Sequence, residues 1–569
     1  MHIKLVAING RFTHSSLALF HLRNELEAHC PDVTTEILQF TIRDPGYELL
    51  LRLSQGKPEA IFFSAAIWNS DQVESLIVDL HSLLPSTLLV VGGPQAEVVA
   101  SDLGVGFCTV VRGAIEAVEE RFYSDLQGGS LQDLYGRSFF HLADRNKKFV
   151  SPYREEDFSS HLKNRNIYYE SSRGCPFSCS YCLSSAENGI VHKDVVQVRY
   201  ELDQIMAHAP RVLRFVDRTF NDLPARALAL WQLVLDYDSE TLFHFEIAPD
   251  RISEEMFSFL ATVPPGRFQF EIGIQSTHEQ TLAAINRRID PESARKTVSR
   301  LAALDTVHLH ADLILGLPFE TEDTYLQSFA DIFAMGPHYI QMGLLKLLPD
   351  TAISRDAVKF SYCACSRPPY SVLANRWLEA EQLQNLYWFS ECVEKFCNNR
   401  YFPSLWAYLR RTDENVVSFF QKLLEASHRE QLFELAVTQE FLCRILTETL
   451  RDRNDYALLQ QLLAYDWLRC GHRTLPPCLE PEWKEKERSL RDMLYAQLPA
   501  ELPGLYVKSE RSRFIKGSVF REFPGDSLHC FAFQGTLQQQ ENVYLVFLKE
   551  REESLSKWNK VVVLDTGLC

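Results

Sequence analysis

The chain has 569 residues, of which 46% are hydrophobic and 23% are charged. At about 150 residues per domain this length predicts three or four domains, and the composition excludes a mainly disordered chain. The formal net charge of −17 argues against a protein that binds nucleic acid through bulk positive charge.

The sequence has no apolar run of the roughly 18 residues that a membrane span needs, and it begins with a strand-like segment instead of a signal peptide. Its 14 cysteines are scattered along the chain, whereas a secreted disulfide scaffold crowds them into a short one. We therefore expect a cytoplasmic protein with no membrane segment and with reduced thiols.

Residues 1–127 alternate short β-rich runs with helical patterns. The predicted strands are 3–8, 33–38, 60–64, 88–91 and 107–111, and the clearest predicted helices are 17–29 and 70–84. This alternation predicts an α/β fold with a parallel, doubly wound, Rossmann-like sheet. Such sheets bind ligands at the carboxyl ends of their strands, where this sequence places Asn9-Gly10-Arg11, Ser64-Ala65-Ala66 and Gly92-Gly93-Pro94.

A second βα series follows a predicted linker at residues 128–165. The predicted strands are 167–171, 212–216, 243–247, 268–274, 308–315 and 339–347, with helices between them. Six such units predict a partial (β/α)6 barrel over residues 166–350. In barrels of this kind the chemistry lies at the carboxyl ends of the strands.

Residues 351–569 change in character. They predict a mainly helical region, densest at about 375–500, with a small terminal sheet formed by short strands at 529–533, 543–548 and 560–564. The architecture expected from sequence is thus three folded regions and one linker.

One tightly spaced group of cysteines carries the chemistry. Cys175, Cys179 and Cys182 fall within eight residues, directly after the first predicted barrel strand. Three thiolates on one loop can bind three corners of a cubane iron–sulfur cluster and leave one iron open. The alternative is a zinc site, but a closed zinc site needs a fourth ligand, and His192 and the distant Cys363 and Cys365 make no suitable pair.

The Cys-x3-Cys-x2-Cys spacing, with an aromatic residue before the last cysteine, resembles the radical S-adenosylmethionine (SAM) superfamily. That resemblance implies a [4Fe–4S] cluster bound by the three cysteines, with SAM on the open iron and Tyr181 near its adenine. It also implies reductive cleavage of SAM to a 5′-deoxyadenosyl radical. An external low-potential electron donor such as flavodoxin or ferredoxin is then required.

Further strand-end motifs resemble the branch that includes the oxygen-independent coproporphyrinogen oxidases. They are Phe245-Glu246-Ile247-Ala248-Pro249, Gly273-Ile274-Gln275-Ser276, Asn286-Arg287 and Asp312-Leu313-Ile314-Leu315-Gly316-Leu317-Pro318. On this resemblance Glu246, Gln275, Arg287 and Asp312 contact SAM. Taken singly, a carboxylate could instead form a salt bridge at the barrel mouth, and Arg287 could lie on a solvated helix surface.

A doubly wound domain ahead of such a barrel resembles the cobalamin (B12)-binding arrangement. On that resemblance Trp68, Gly92, Gly93 and Pro94 contact cobalamin, and the glycines allow close approach of the backbone to the ligand. The sequence lacks Asp-x-His-x-x-Gly, whose histidine ligates cobalt in B12 mutases. His14 and Trp68 are alternative residues to face the cobalt, although His14 could simply cap a helix and Trp68 could simply pack.

Residues from about 363 onward resemble an extension, without an assigned activity, of B12-type radical SAM proteins. The leading functional hypothesis is a cobalamin-dependent radical SAM enzyme that methylates an unactivated carbon of a small-molecule or peptide substrate. The alternatives are a radical rearrangement, cyclisation or redox step without methyl transfer, and a zinc-stabilised binding protein. No sequence pattern identifies the substrate or a residue that acts on it.

Overall fold

A computed structural model describes most of the chain. The described residues are 1–136, 138–141, 149–185, 189–412, 414–479, 489, 516–528, 530–531, 542–551, 555 and 558–564. They form a parallel sheet, a second parallel sheet curved around a polar interior, and a helical region that ends in a small antiparallel sheet. This architecture confirms the fold class predicted from the sequence.

The first sheet is wholly parallel. Its strands are β1 (His2–Asn9), β2 (Thr34–Thr41), β3 (Ala60–Ser64), β4 (Leu88–Gly92), β5 (Thr109–Val111) and β6 (Leu134–Tyr135), in the order β2-β1-β3-β4-β5-β6. Helices Leu17–His29, Gly46–Ser54, Ser70–Leu83, Ala96–Leu103 and Glu120–Gln127 connect them. Ile3 and Leu5 of β1 pack into one core and Val6 and Ile8 into another, so helices cover both faces of the sheet.

The second parallel sheet follows the short helix Glu155–Ser159. Its strands are β7 (Ile167–Tyr169), β10 (Val212–Phe215), β11 (Leu242–Glu246), β12 (Phe268–Gln275), β13 (Val307–Leu315) and β14 (Tyr339–Leu344), paired in that order. Helices Val195–Met206, Pro224–Leu235, Glu254–Leu260, Glu279–Ala284, Pro291–Leu304 and Glu322–Met335 run between them. Directly after β7, β8 (Ser172–Cys175) and β9 (Gly189–His192) form an antiparallel hairpin that the sequence did not predict.

Side chains alternate along β12 and β13. Phe268, Phe270 and Leu309 face the surrounding helices and are fully buried. The residues between them are polar and partly exposed, as Glu271 and His310 illustrate. Because successive residues of a strand point to opposite faces, this pattern lines the barrel interior with polar groups.

The C-terminal region begins with the helix Ala352–Arg355 and a hairpin of β15 (Cys363–Ala364) and β16 (Val372–Ala374). Helices Ala380–Phe396, Pro403–Arg411, Val416–Arg429, Gln439–Leu450 and Tyr456–Arg469 follow. The terminal sheet contains β17 (Ser518–Pro524), β18 (Asn542–Arg551) and β19 (Asn559–Leu564), with the short helix Gly525–Leu528 after β17. β18 and β19 include the strands predicted at 543–548 and 560–564, β17 was not predicted, and most of the strand predicted at 529–533 lies outside the described residues.

Buried polar contacts join the three regions. Arg23 of the first helix forms a bidentate ion pair with Asp157 in the segment before β7, with N–O distances of 2.6 and 2.8 Å. Tyr370, in the β15–β16 hairpin, donates a hydrogen bond of 2.8 Å to Gln95 beyond β4. Within the described residues, no helix combines the length and the apolar character needed to cross a bilayer.

Candidate functional site

A cavity of about 210 Å³ lies at the carboxyl ends of the barrel strands. All the barrel residues singled out from the sequence line it: Cys175, Cys179, Cys182, Tyr181, Glu246, Gln275, Arg287 and Asp312. They come from the hairpin loop, three strands and the turn after the helix Glu279–Ala284. The fold therefore brings residues that are up to 137 positions apart in sequence to one site.

Backbone and side-chain contacts hold the cysteine loop in place. Gly174 has a φ of +98°, and a Cβ atom there would collide with the Gly189 carbonyl, so the hairpin closes because this residue is glycine. Beyond the hairpin, Ser180 N donates to the Ile285 carbonyl at 2.9 Å. Asn286 donates to the Ser178 carbonyl at 2.9 Å. These bonds fix the loop against the strand-end turn that carries Arg287.

The three predicted cluster thiols line the same cavity. Cys179 is 5% exposed, while Cys175 and Cys182 are partly exposed in the same cavity. The Thr219 hydroxyl lies 3.6 Å from the Cys175 sulfur. Among the described residues, no three Cys, His, Asp or Glu side chains converge on one point as a mononuclear metal site requires. A cubane cluster needs a more open arrangement, because each thiolate binds its own iron.

Three buried polar atoms at this cavity have no hydrogen-bond partner: Gln275 Oε1, Arg287 Nε and Asp312 Oδ1. Buried polar groups in proteins are normally paired, and an unpaired one costs about 1–3 kcal/mol. Gln275 also sits at a β-bulge with a φ of +73°, an uncommon conformation for a residue other than glycine. Unpaired groups and local strain in one cavity fit a site that is completed by a polar ligand.

Carboxylates crowd this cavity. Burial and the neighbouring Glu271 raise the pKa of Glu246 to about 7, although Arg218 opposes the shift. Burial, Glu271 and Glu246 also raise the pKa of Asp312 well above its ordinary value. Arg287 contributes positive charge to the cavity, donating to the Gly273 carbonyl at 2.5 Å and lying 3.8 Å from the Cys179 sulfur. The cavity can thus bind a zwitterionic ligand with both a cationic and an anionic group.

A second cavity, of about 340 Å³, lies between the first sheet and the barrel. Its walls are mainly apolar and come from the helix Leu17–His29 and the ends of β3, β4 and β5. One end is charged: Glu116 accepts from His21 at 3.0 Å and from Arg173 at 3.1 Å. Although burial opposes ionisation, these two partners hold the pKa of Glu116 well below its ordinary value.

Two of the four residues predicted to contact cobalamin, Gly92 and Gly93, line this second cavity, and Trp68 and Pro94 lie outside it. Trp68 is 57% exposed, and its indole N–H donates to the Ile8 carbonyl at 3.1 Å. Gly93 has a φ of +99°, and a Cβ atom there would lie 2.5 Å from the Ala65 carbonyl oxygen. Because Gly93 has no Cβ atom, its backbone can pack against Ala65, directly after β3, and can also line the cavity.

His14, the other residue considered from sequence to face a cobalt, contacts the barrel. Its Nδ1 is hydrogen-bonded to the Tyr168 hydroxyl, and the two rings stack with centroids 6.2 Å apart. Burial and the charges of Arg214 and Arg11 lower the pKa of His14, so its imidazole is neutral at pH 7. The structure thus shows a polar contact between the loop after β1 and the interior of the barrel.

Glu271 also lines the barrel cavity, and the sequence reasoning did not single it out. Alternation within Phe268–Gln275 places Glu271 on the same face as Gln275, which is the signal that would have identified it. A Cβ atom on Gly273 would collide with the Gln275 amide, so glycine is required there for that side chain to turn into the cavity.

Residues 169–332 match the radical SAM superfamily. The chain contains a radical SAM domain. This domain extends from the end of β7 to the helix after β13 and includes the cysteine hairpin and all the predicted SAM-contacting residues. Residues 358–547 match a second family, described as a protein of unknown function (DUF4080).

Three curated relatives illustrate the similarity. A 2-(S-pantetheinyl)-carbapenam-3-carboxylate methyltransferase of Streptantibioticus cattleyicolor is 24% identical over 45% of this chain and 41% of that protein. The cobalamin-dependent radical SAM methyltransferase TokK of Streptomyces tokunonensis is 27% identical over 33% and 28%. A tRNA-2-methylthio-N(6)-dimethylallyladenosine synthase of Dehalococcoides mccartyi is 24% identical over 32% and 46%. The chain spans less than half the length of each.

Two solved structures share the fold. The cobalamin-dependent S-adenosylmethionine radical enzyme OxsB, with aqua-cobalamin bound, superimposes with a TM-score of 0.57 at 13% identity, over 82% of this chain and 80% of that one. The radical S-adenosylmethionine methyltransferase TsrM from Kitasatospora setae, with cobalamin and a [4Fe–4S] cluster, gives a TM-score of 0.51 at 16% identity, over 64% and 78%. At these identities the likeness shows a common fold.

Proposed function

We propose that the protein is a [4Fe–4S]-dependent and cobalamin-dependent radical SAM enzyme that methylates an unactivated carbon of a small-molecule or peptide substrate. The observation that carries the proposal is the barrel cavity, where three thiols meet three buried polar atoms that lack a partner. The donor set fits the group it would hold: three thiolates for three irons, with charged and polar groups beside them for a zwitterion.

The chain's own residues have distinct tasks in this proposal. Cys175, Cys179 and Cys182 would hold the cluster and leave one iron for SAM. Arg287 would pair with the methionine carboxylate, and Asp312 would accept from the amino group. When bound, cluster and SAM supply a 5′-deoxyadenosyl radical, and methylated cobalamin supplies the methyl group.

Other residues would complete the binding of SAM. Glu246 and Gln275 would hydrogen-bond the ribose hydroxyls, and Tyr181 would lie beside the adenine. Arg287 already has its guanidinium oriented by the Gly273 carbonyl, so little side-chain freedom is lost when the ligand arrives.

The cobalamin part of the proposal rests on the second cavity. It opens at the carboxyl ends of parallel strands, where doubly wound sheets bind ligands, and it borders the barrel through Glu170 and Arg173. Its apolar walls suit the edge or the nucleotide tail of a corrin. The relatives TokK and TsrM, which are methyltransferases by name, favour methyl transfer over the alternative radical rearrangement.

A low-potential donor such as flavodoxin or ferredoxin would reduce the cluster, and a reducing cytoplasm would keep the thiols available for iron. Because the described cysteines form no disulfide, the three ligands are free to bind iron.

The test is an anaerobic reaction with SAM that carries a deuterated methyl group, dithionite and fractionated cell extract. We expect the reaction to form 5′-deoxyadenosine, S-adenosylhomocysteine and a product that is heavier than the substrate by one labelled methyl group. Cys179→Ala is the matched negative control. Deoxyadenosine without a labelled product would favour a rearrangement or redox enzyme, and bound zinc with no deoxyadenosine would favour a binding protein.

A further inference from the structure

The barrel interior contains a second set of polar side chains, which lies below the cysteine cavity. Strand register places Tyr168, Arg214, His244, Gln269 and His308 side by side on five neighbouring strands. Interiors of parallel α/β barrels are usually filled by branched apolar side chains. Five adjacent polar positions therefore need an explanation that packing does not supply.

Further contacts connect these residues to His338, next to β14, and to Arg400 of the C-terminal region. His310 Nε2 lies 2.9 Å from Gln269 Nε2 and 3.1 Å from His308 Nδ1. The His308 ring stacks on His338, with centroids 5.2 Å apart. Arg400, just beyond the helix Ala380–Phe396, acts electrostatically on all three of these histidines. We call Arg214, His244, Gln269, His308, His310, His338 and Arg400 the barrel base.

Positive charge dominates the barrel base. Arg214 contacts His244 at 3.2 and 3.4 Å, and neither Arg214 nor Arg400 forms a salt bridge with a described carboxylate. Burial and Arg214 lower the pKa of His244 to about 3, and burial and Arg400 lower that of His308 to about 2. At neutral pH these histidines are uncharged hydrogen-bonding groups beside two charged guanidinium groups.

The nearby carboxylates contact the histidines. Glu271 lies 3.4 Å from His244 on the side of the cysteine cavity, and Asp305 lies 3.3 Å from His338 at the opposite end. Glu271 also acts electrostatically on Arg214, and Asp305 on Arg400, but neither carboxylate forms a salt bridge with an arginine of the barrel base.

Solvent reaches the barrel base. Arg214, Gln269, His308 and His310 are partly exposed. Their neighbours on the outer face of the sheet, such as Leu309, are fully buried against helices. The exposed area of these polar residues therefore faces the interior of the barrel, where a ligand could replace water.

We propose that the barrel base binds an oxyanion of the substrate, a carboxylate or a phosphate group. The proposal rests on the radical SAM function, because it takes the cysteine cavity as the place of reaction. His308 precedes Asp312 by four residues on β13, so base and cavity are about 13 Å apart along the strand. The substrate then carries its anionic group roughly that far from the carbon that reacts.

This binding site also gives the DUF4080 region a direct part in the reaction. Arg400 belongs to that region, and its guanidinium lies 5.9 Å from the ring centroid of Trp558, the residue before β19. Tyr339 of β14 donates to Glu394 at 2.7 Å, and Asn398 donates to the Ile340 carbonyl at 2.8 Å. The C-terminal helices thus cover one end of the barrel and supply one of the two arginines.

The test is calorimetric titration of the full-length protein with inorganic phosphate and, separately, with acetate at low ionic strength. We expect saturable one-to-one binding of at least one anion. The anion that binds more tightly identifies the group of the substrate that this site recognises. Arg214→Gln and Arg400→Gln should each weaken it at least tenfold, and Arg400→Lys by only a few fold. Arg199→Gln, an exposed arginine outside the barrel, should leave it unchanged.

A second measurement uses the wild-type protein, in case a variant fails to fold. With 13C-labelled histidine, the bound anion should shift the signals of His308 and His310, assigned through their glutamine variants. Absence of saturable binding for both anions, or binding that shifts neither signal and survives both Gln variants, would overturn the proposal. Because neither measurement needs cluster or SAM, such a failure leaves deoxyadenosine formation, and with it the proposed function, unaffected.

Discussion

The two cavities differ in how they are built. The barrel cavity is lined by thiols, carboxylates and two arginines, and three of its buried polar atoms lack partners. The cavity of the first domain is walled mainly by apolar side chains and glycines, and its charged end is already paired within the protein. The barrel cavity is therefore defined by the chemical groups that line it, and the cavity of the first domain is defined by its shape.

That difference governs how each cavity responds to mutation. In the barrel cavity a single side chain carries a specific interaction, so its removal should abolish one property. In the first domain the backbone makes the surface, so a substitution should act by changing the shape of the cavity.

The largest effect is expected at the cluster. Cys179→Ala removes one of three thiolates, so the cluster should not assemble. Iron analysis after anaerobic reconstitution should fall from about four irons per chain to less than one. Cys365→Ala, an exposed cysteine of the β15–β16 hairpin, is the control and should retain the iron. An intact cluster in Cys179→Ala would contradict the site assignment.

Arg287→Gln should weaken the binding of SAM about 10- to 100-fold, because it removes a charge-assisted hydrogen bond worth about 1.5–3 kcal/mol. Arg288→Gln changes an exposed neighbour and should have little effect. Equilibrium dialysis with labelled SAM measures both. Equal loss in the two variants would mean that Arg287 acts only through general charge.

Gly93→Ala tests the shape of the first domain. The new Cβ would approach the Ala65 carbonyl oxygen at 2.5 Å, and alanine is strained at a φ of +99°. We expect a loss of about 1–3 kcal/mol in the free energy of unfolding, with weaker cobalamin binding.

Gly92→Ala is the matched control, since its nearest neighbour would be at an ordinary 3.6 Å. Chemical denaturation compares the two variants. Similar stability in both would show that the turn after β4 is free to adapt.

A smaller effect is expected from pH. With a pKa of about 7, Glu246 is protonated below pH 7 and ionised above it. If the carboxylate binds the ribose hydroxyls, the affinity for SAM should rise about tenfold from pH 6 to pH 8. Glu246→Gln should abolish the pH dependence of SAM affinity that comes from Glu246. Any pH dependence that comes from SAM itself should remain. An identical pH profile in the two proteins would exclude the assigned role of Glu246.

Much of the fold could be predicted from sequence because strands buried on both faces, such as β3, appear as short continuous apolar runs, and barrel strands such as β12 and β13 alternate apolar and polar residues. β3 was predicted with its observed bounds, and β12 and β13 differ by one residue at their ends. β17 was missed because Ser518–Pro524 mixes charged and apolar residues and lies apart from any βα repeat. The β8–β9 hairpin was missed because its partner strand lies beyond the cysteine loop.

The barrel cavity was predicted far better than the second cavity, for a physical reason. Cysteine spacing and strand-end carboxylates are rare patterns with specific chemistry, whereas the second cavity is walled by common residues such as Leu19 and Val111. Arg400 could not be predicted at all, because its position beneath the barrel depends on how the C-terminal helices pack.

The most direct test of the central claim is a spectroscopic titration of the anaerobically purified protein with hydroxocobalamin. We expect one corrin bound per chain, with weaker binding in Gly93→Ala and unchanged binding in Cys179→Ala, because the two cavities are separate. No stoichiometric corrin binding by the wild-type protein would contradict the cobalamin-dependent mechanism and leave a radical SAM enzyme without methyl transfer from cobalamin.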